Sequence, residues 1–133
     1  MNLEVMIVDD DPVFTKIAGL MLKMAGFNQL QHTCHNGQDA LEILVQRSSM
    51  ELAFLIFLDI NMPVLDGWGV LDALKDYPYK KNIYVVMATS SIAQTDKDRA
   101  SAYDCVISYL IKPLRREDLS VLLKSEPVAV FNN

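Results

Sequence analysis

The chain has 133 residues, the length of one ordinary domain, and 51% of its residues are hydrophobic while 22% are charged. This composition excludes a disordered chain, because so many apolar side chains can build a core. The net charge of −5 argues against nucleic acid and anionic membrane surfaces as partners, since both are bound by clustered positive charge. No apolar run approaches the roughly 18 residues that a membrane span needs.

The N-terminus and the cysteines favour a cytoplasmic protein with free thiols. Glu4 stands where a secretory signal peptide would carry positive charge. Cys34 and Cys105 have neither CxxC nor metal-ligand spacing, and a domain of this length does not need a disulfide. We therefore expect a cytoplasmic location.

The first elements along the chain are a predicted strand over residues 3–8 and a helix that follows three acids. Pro12 suits the first turn of this helix, where its missing N–H is not needed, and Gly26 supplies the stop. Apolar residues recur through the helix at helical spacing, namely Val13, Ile17, Leu20, Met21 and Met24. The scattered methionines are expected to fill the core, namely Met6, Met21, Met24, Met62 and Met87.

The alternation of apolar runs and amphipathic stretches continues to the end of the chain. Residues 52–58 are apolar at every position, which is typical of a parallel strand covered by helices on both faces. The other predicted elements are strands over residues 30–34, 83–88 and 106–111 and helices around residues 40–45, 68–74, 96–103 and 117–123. This pattern predicts an α/β fold with a doubly wound, five-stranded parallel sheet. We expect one domain over residues 1–124 and a short C-terminal tail over residues 125–133.

Four of the five predicted strands deliver polar groups to one edge of the sheet. The groups are Asp9 and Asp10 after the first strand, Asp59 after the third, Thr89 after the fourth and Lys112 after the fifth. The carboxyl ends of parallel strands form the functional edge of such a sheet. Three converging carboxylates repel each other, and a divalent cation relieves this repulsion. Because the ligands are oxygen atoms, we expect Mg²⁺.

A metal ion, a hydroxyl and an ammonium group together form a cradle for a phosphoryl group. Thr89 can donate a hydrogen bond to a phosphoryl oxygen, and Lys112 can neutralise its charge. The sequence has neither a Walker A motif nor a glycine-rich nucleotide fingerprint. The phosphoryl group is therefore expected to end on the protein, with a carboxylate as the nucleophile.

Four segments, in this order, resemble the receiver domain of two-component response regulators over residues 3–123. They are MIVDDDP at 6–12, LDINMP at 58–63 with Asp66-Gly67 behind it, MATS at 87–90 and YLIKP at 109–113. The resemblance implies a flavodoxin-like receiver fold with strand order 2-1-3-4-5. Within this family, the chain resembles the stand-alone, single-domain receivers of the chemotaxis-regulator type.

The resemblance also implies roles for individual residues. Asp59 would be the phosphoacceptor, and Mg²⁺ would be bound by Asp9, Asp10, Asp59 and the backbone carbonyl of Asn61. Thr89 and Lys112 would contact the phosphoryl group.

A second set of implied roles concerns signalling. Thr89 and Tyr109 would form the switch pair, and the Lys112–Pro113 peptide bond would be cis. Asn61 and Ser91 match positions that tune autodephosphorylation in the family, which leaves the phosphoryl lifetime open.

The function implied is that of a single-domain response regulator that catalyses only its own phosphorylation and dephosphorylation. It would take a phosphoryl group from a histidine kinase or a histidine phosphotransfer protein. Its output would be a changed interaction face for a downstream protein whose identity the sequence does not give. We expect a monomer or a weak homodimer.

Other functions stay open. The domain could work as an interaction module without phosphorylation. It could also be a phosphatase like the haloacid dehalogenases, since Asp9-Asp10-Asp11 contains their DxD spacing and Asp9 would then be the nucleophile. Against this, the sequence has no cap insertion, and Glu117-Asp118 is a poor substitute for their late acidic strand end. A third possibility is a piece of a larger regulator or hybrid kinase.

Overall fold

The structure is a computed structural model that describes residues 1–131, so the last two residues of the expected tail, Asn132 and Asn133, lie outside the described residues. The strands are β1 (Asn2–Val8), β2 (Gln31–Cys34), β3 (Leu52–Leu58), β4 (Ile83–Thr89) and β5 (Val106–Ile111). The helices are α1 (Pro12–Ala25), α2 (Gly37–Gln46), α3 (Gly67–Leu74), α4 (Gln94–Ser101), α5 (Arg116–Lys124) and α6 (Glu126–Ala129). One turn of 3₁₀ helix, Lys80–Asn82, precedes β4.

The five strands form one parallel sheet in the order β2-β1-β3-β4-β5, which confirms the predicted architecture. β1 and β3 lie in the interior of the sheet and pair along their whole lengths, from Asn2 beside Leu52 to Val8 beside Leu58. Both are buried at nearly every position, because helices cover both faces of the sheet. All five carboxyl ends therefore meet at one edge.

Two separate cores lie on the two faces of the sheet. One contains side chains of α2, α3 and α4, such as Leu44, Leu71 and Ala100, packed against Ile56. The other contains side chains of α1, α5 and α6, packed against the opposite face of the same strands. The alternation of Val5, Met6, Ile7 and Val8 between the two cores follows from the two-residue period of a strand.

Helix α1 buries a different face from the one that its large apolar residues mark. Thr15, Ala18, Gly19 and Leu22 are its buried residues. The row Val13, Ile17, Leu20 and Met24 faces solvent with 50–75% exposure, so the expectation that Met24 fills the core is wrong. The helix has apolar side chains on two faces, and the one with small residues lies against the sheet because it allows closer approach.

The C-terminal segment contributes to the second core. α6 follows α5 directly, and its Val128 is buried among residues of α1 and α5. Within residues 1–131, no helix is both long enough and apolar enough to cross a membrane.

Candidate metal and phosphoryl site

The backbone of the sheet fixes the first residues beyond β1 and β3. The Asp59 N–H donates to the Val8 carbonyl at 3.1 Å, and the Asp9 N–H donates to the Cys34 carbonyl at 2.9 Å. Each acid therefore still belongs to the hydrogen-bond ladder of the sheet. Their side chains start from a rigid edge rather than from a loose loop.

Three carboxylates meet at this edge. Oxygen atoms of Asp9, Asp10 and Asp59 all lie within 4.8 Å of one another. Asp9 is 1% exposed and Asp59 is 7% exposed, whereas Asp10 faces solvent. The neighbouring Asp11 has a structural role, because it caps α1 by accepting a hydrogen bond from the Val13 N–H.

Lys112, the first residue after β5, brings the positive charge. Its Nζ lies 2.5 Å from Asp9 Oδ2 and donates to Asp59 Oδ2 at 3.2 Å. Burial by itself lowers the pKa of Lys112, but the close contact with Asp9 and the charges of Asp59 and Asp9 outweigh burial and raise the pKa. The lysine is therefore a permanent cation between the two buried acids.

Asp9 is the acid of the cluster whose negative charge is compensated only in part. Its Oδ1 accepts a hydrogen bond from the Asp11 N–H at 2.9 Å, but its buried Oδ2 accepts no hydrogen bond of good geometry, despite the nearby ammonium. Burial raises the pKa of Asp9, and the charge of Asp59 adds to this rise, while Lys112 and the backbone offset it only in part. A second cation at this place would relieve the unfavourable charge.

Thr89 ends β4 next to the lysine, and it is 1% exposed. The Lys112 N–H donates to its carbonyl at 2.9 Å, and its Oγ1 accepts a long hydrogen bond from the Ser91 N–H at 3.3 Å. Tyr109 is half-buried on β5, and its hydroxyl donates to the Ser91 carbonyl at 3.1 Å. Ser91 thus connects the threonine to the tyrosine.

Ser91 also reaches the next helix. Its hydroxyl lies 2.6 Å from Asp96 Oδ2 in the first turn of α4. Ala100 is the one buried residue of that helix, so apolar packing contributes little to its position. The loop that carries Thr89 is therefore tied to α4 through polar contacts.

The loop after β3 folds back against Asp59. Gly67 donates its N–H to the Ile60 carbonyl at 2.8 Å, and Ile60 donates its own to Asp59 Oδ1 at 2.8 Å. A Cβ at Gly67 would lie 2.4 Å from the Asp59 carbonyl oxygen, so glycine is required here by the close approach. Asp66 caps α3 through the Gly69 N–H.

Two further sequence predictions concern Asn61 and the peptide bond before Pro113. Asn61 is exposed two residues after Asp59. The peptide bond between Lys112 and Pro113 is cis.

Sequence reasoning missed one neighbour of the site, Phe14. Its ring lies on the first turn of α1, with the ring centroid 4.4 Å from Lys112 Nζ. The sequence shows that an aromatic residue follows the acidic start of the helix. It gives no indication that this residue contacts Lys112.

The residues present fit a magnesium ion. The donor set consists of carboxylates, one exposed and two buried, and the buried Asp9 Oδ2 lacks a good hydrogen bond. Hard oxygen ligands and an open side suit an ion that keeps several waters.

Comparisons with known proteins agree on one family. The sequence model described as "Response regulator receiver domain" matches residues 5–124. The positive alginate biosynthesis regulatory protein of Pseudomonas aeruginosa is 32% identical over 92% of this chain. The sensor histidine kinase CheAY of Helicobacter pylori is 30% identical over 90%, and the two-component response regulator ARR11 of Arabidopsis thaliana is 28% identical over 91%. The chain spans 46%, 14% and 22% of these relatives, respectively.

Solved structures agree with this match. A two-component response regulator from Cytophaga hutchinsonii superposes with a TM-score of 0.79 at 27% identity, covering 91% of this chain and 93% of that one. A CheY-like receiver domain from Methanospirillum hungatei gives 0.70 at 29% identity, covering 88% and 87%. The Vibrio cholerae chemotaxis protein CheY4 gives 0.76 at 23% identity, covering 93% and 98%, and supports the fold alone.

Proposed function

The chain belongs to the family of response regulator receiver domains, and on this premise we propose that it accepts a phosphoryl group on Asp59 in a two-component phosphorelay. The observation that carries the proposal is the hydrogen bond from Lys112 Nζ to Asp59 Oδ2, at 3.2 Å, within a cluster of three carboxylates. An ammonium in this position can neutralise an oxygen of a phosphoryl group as it arrives.

The proposed reaction is a direct transfer. A carboxylate oxygen of Asp59 attacks the phosphorus of a phosphohistidine, an O–P bond forms, the N–P bond breaks, and the electron pair leaves with the imidazole nitrogen. Asp9, Asp10, Asp59 and the backbone carbonyl of Asn61 would hold Mg²⁺, which supplies charge neutralisation when it is bound. Lys112 then stays beside the phosphoryl oxygens while the hydroxyl of Thr89 donates to one of them.

The proposed output follows from the contacts of Thr89. When its hydroxyl turns to a phosphoryl oxygen, the Ser91 N–H loses its acceptor. Ser91 also binds the Tyr109 hydroxyl and Asp96, so this movement reaches β5 and α4. The surface around these two elements would change and be recognised by a downstream protein.

The proposed phosphodonor is a sensor histidine kinase or a histidine phosphotransfer protein. Relatives of this chain include sensor kinases as well as regulators. On the surface, the exposed apolar row of α1 starts at Val13, beside the acidic edge, and continues to Met24. Such a row is typical of a protein-binding surface, and its continuity with the site suits a donor domain that must bring its phosphohistidine to Asp59.

The remaining assignments are part of the same proposal. Residues 1–124 would form the receiver domain, with residues 125–133 as its C-terminal tail, and output would go through the domain's own surface. A cytoplasmic location is consistent with Cys34 and Cys105, which are free thiols. We expect a monomer or a weak homodimer.

The test is intact mass spectrometry after incubation with acetyl phosphate, with and without Mg²⁺. Wild type should gain about 80 Da, the mass of one phosphoryl group, only when Mg²⁺ is present. Asp59→Asn should gain nothing, whereas Asp72→Asn, an exposed aspartate on α3, should behave as wild type.

Other outcomes would identify the competing functions. A gain that survives in Asp59→Asn but disappears in Asp9→Asn would point to Asp9 as the nucleophile and to phosphatase-like chemistry. If wild type gains no mass, binding of beryllofluoride with Mg²⁺ should be measured. If beryllofluoride does not bind either, the result would favour the alternative function, an interaction module that acts without phosphorylation.

A further inference from the structure

Among residues 1–131, the ammonium of Lys112 has three partners, and one of them is not an acid. Asp9 Oδ2 lies 2.5 Å from Nζ, Asp59 Oδ2 lies at 3.2 Å, and the centroid of the Phe14 ring lies at 4.4 Å. The lysine side chain is only 18% exposed. An ammonium at this distance from a ring is attracted by the negative charge of the ring face.

The ring of Phe14 is fixed by the fold and not by the lysine. It lies on the first turn of α1, which begins at Pro12 and is capped by Asp11. The side chain is half-buried and packs against the core that α1 shares with α5. Its position is therefore set before any ligand arrives.

We propose that Phe14 is a positioning residue that keeps the Lys112 ammonium beside Asp59. This inference rests on the proposed function of Asp59 as phosphoacceptor. A divalent cation at the acidic edge competes with Lys112 for Asp9, because both need the same carboxylate oxygens. The ring offers no ligand to a hard cation. It therefore stays a partner of the ammonium when Asp9 turns to the metal.

The consequence concerns the rate of phosphorylation. Lys112 has four side-chain methylene groups and could swing into solvent once Asp9 is lost as a partner. A cation–π contact in a partly buried place limits this freedom. With the ring in place, the ammonium is already where the phosphoryl oxygens will appear, and less ordering is needed during transfer.

A substitution that changes the charge distribution of the Phe14 ring but not its shape distinguishes a positioning role from a packing role. 3,4,5-Trifluorophenylalanine at position 14 keeps the shape of the ring but removes most of the negative charge of its face. We expect phosphorylation by acetyl phosphate with Mg²⁺ to slow about three- to tenfold, which is the scale of one cation–π contact. The same substitution at Phe27, which is fully buried in the same core, should leave the rate unchanged.

A second readout needs neither metal nor phosphodonor. The ε-methylene protons of Lys112, assigned by comparison with Lys112→Arg, should resonate upfield in wild type because they lie close to the ring. In the variant with 3,4,5-trifluorophenylalanine at position 14, which keeps the ring and its ring current, they should move towards the ordinary lysine position, because the weakened attraction no longer holds the ammonium over the ring.

The two readouts together decide the proposal. It is overturned if the lysine protons of wild type show no ring-current shift, or if fluorination at position 14 has no more effect than at position 27. If wild type is not phosphorylated at Asp59, the proposed function fails, and the NMR comparison alone decides whether Phe14 positions Lys112.

Discussion

The side chain of Lys112 spans two strands of the sheet to reach Asp9. The lysine directly follows β5 and the aspartate directly follows β1, and β3 and β4 lie between these strands, yet Nζ is 2.5 Å from Oδ2. On its way the ammonium also contacts Asp59, which follows β3. The ammonium of Lys112 therefore balances the charges of two buried acids. This balance is incomplete, because burial raises the pKa of Asp9.

Asp9→Asn should stabilise the protein when Mg²⁺ is absent. The folded-state pKa of Asp9 lies above its ordinary value of 3.8, so its ionisation makes the folded state less stable as pH rises above that value. Lys112 keeps Asp59 as a partner in the variant. We expect the free energy of unfolding in urea at pH 7 to rise, because the variant removes a buried negative charge that Lys112 compensates only in part.

Asp9→Asn should also lose the stabilisation that Mg²⁺ gives to the wild-type protein. Millimolar Mg²⁺ should raise the melting temperature of wild type but not of Asp9→Asn, because a ligand is lost. Asp104→Asn, at an exposed aspartate far from the edge, should respond as wild type does. A variant that is less stable than wild type and still responds to Mg²⁺ would contradict the role assigned to Asp9.

Gly67→Ala should damage both stability and phosphorylation. The new Cβ would lie 2.4 Å from the Asp59 carbonyl oxygen and 2.9 Å from the Ile60 Cα, and both are backbone atoms that cannot move alone. We expect a loss of about 2–3 kcal/mol in the free energy of unfolding, as for overpacked sites. The rate of phosphorylation by acetyl phosphate should fall at least tenfold.

Gly19→Ala is the matched control for this glycine. Its Cβ would meet the Oε1 of Gln31 at 2.8 Å, which is the movable end of a side chain. Alanine is also the better helix former, so the change in stability should lie within about 1 kcal/mol of wild type. Equal losses in the two variants would show that the contact with Asp59 has no special importance.

Glu4 should contribute a part of the stability that is lost in acid. Its buried carboxylate binds Arg47 through both oxygens and lies 2.6 Å from His32 Nε2. Burial raises the pKa of Glu4, but these partners outweigh burial and lower it below 4.5. The contribution is therefore present above pH 4.5 and lost as the pH falls through the lowered folded-state value.

Glu4→Gln tests this contribution. At pH 7 the variant should lose about 2–3 kcal/mol in the free energy of unfolding, the scale of a charge-assisted hydrogen-bond pair. The difference from wild type should shrink between about pH 5 and pH 3, measured by urea denaturation. Glu51→Gln, at an exposed glutamate, should show no such difference. If the difference in the free energy of unfolding between wild type and Glu4→Gln does not depend on pH, the ionised carboxylate is excluded as its cause.

Val64→Asn should stabilise the loop after β3. Val64 has φ 70°, in the left-handed region that β-branched residues rarely adopt, and its side chain is 81% exposed. Asparagine tolerates this conformation, so the free energy of unfolding should rise by about 1 kcal/mol. Val130→Asn, at an exposed valine with φ −63°, should bring no gain.

The sequence by itself determined the architecture and the identities of the chemical groups. A fully apolar run such as residues 52–58 is typical of a covered parallel strand, and an acid directly after such a strand lies at the carboxyl edge of the sheet. Asp9, Asp59 and Lys112 could be placed together for this reason alone. Strand periodicity and the direction of the chain are local properties, so they can be inferred without coordinates.

Only the tertiary structure decided which surfaces and neighbours these groups have. Helix α1 has apolar residues on two faces, and packing against the sheet buried Ala18 and Leu22 while it left Ile17 exposed. The approach of Phe14 to Lys112 likewise depends on how separate elements pack. These relationships are set by the shapes of side chains far apart in the sequence, and no local pattern carries that information.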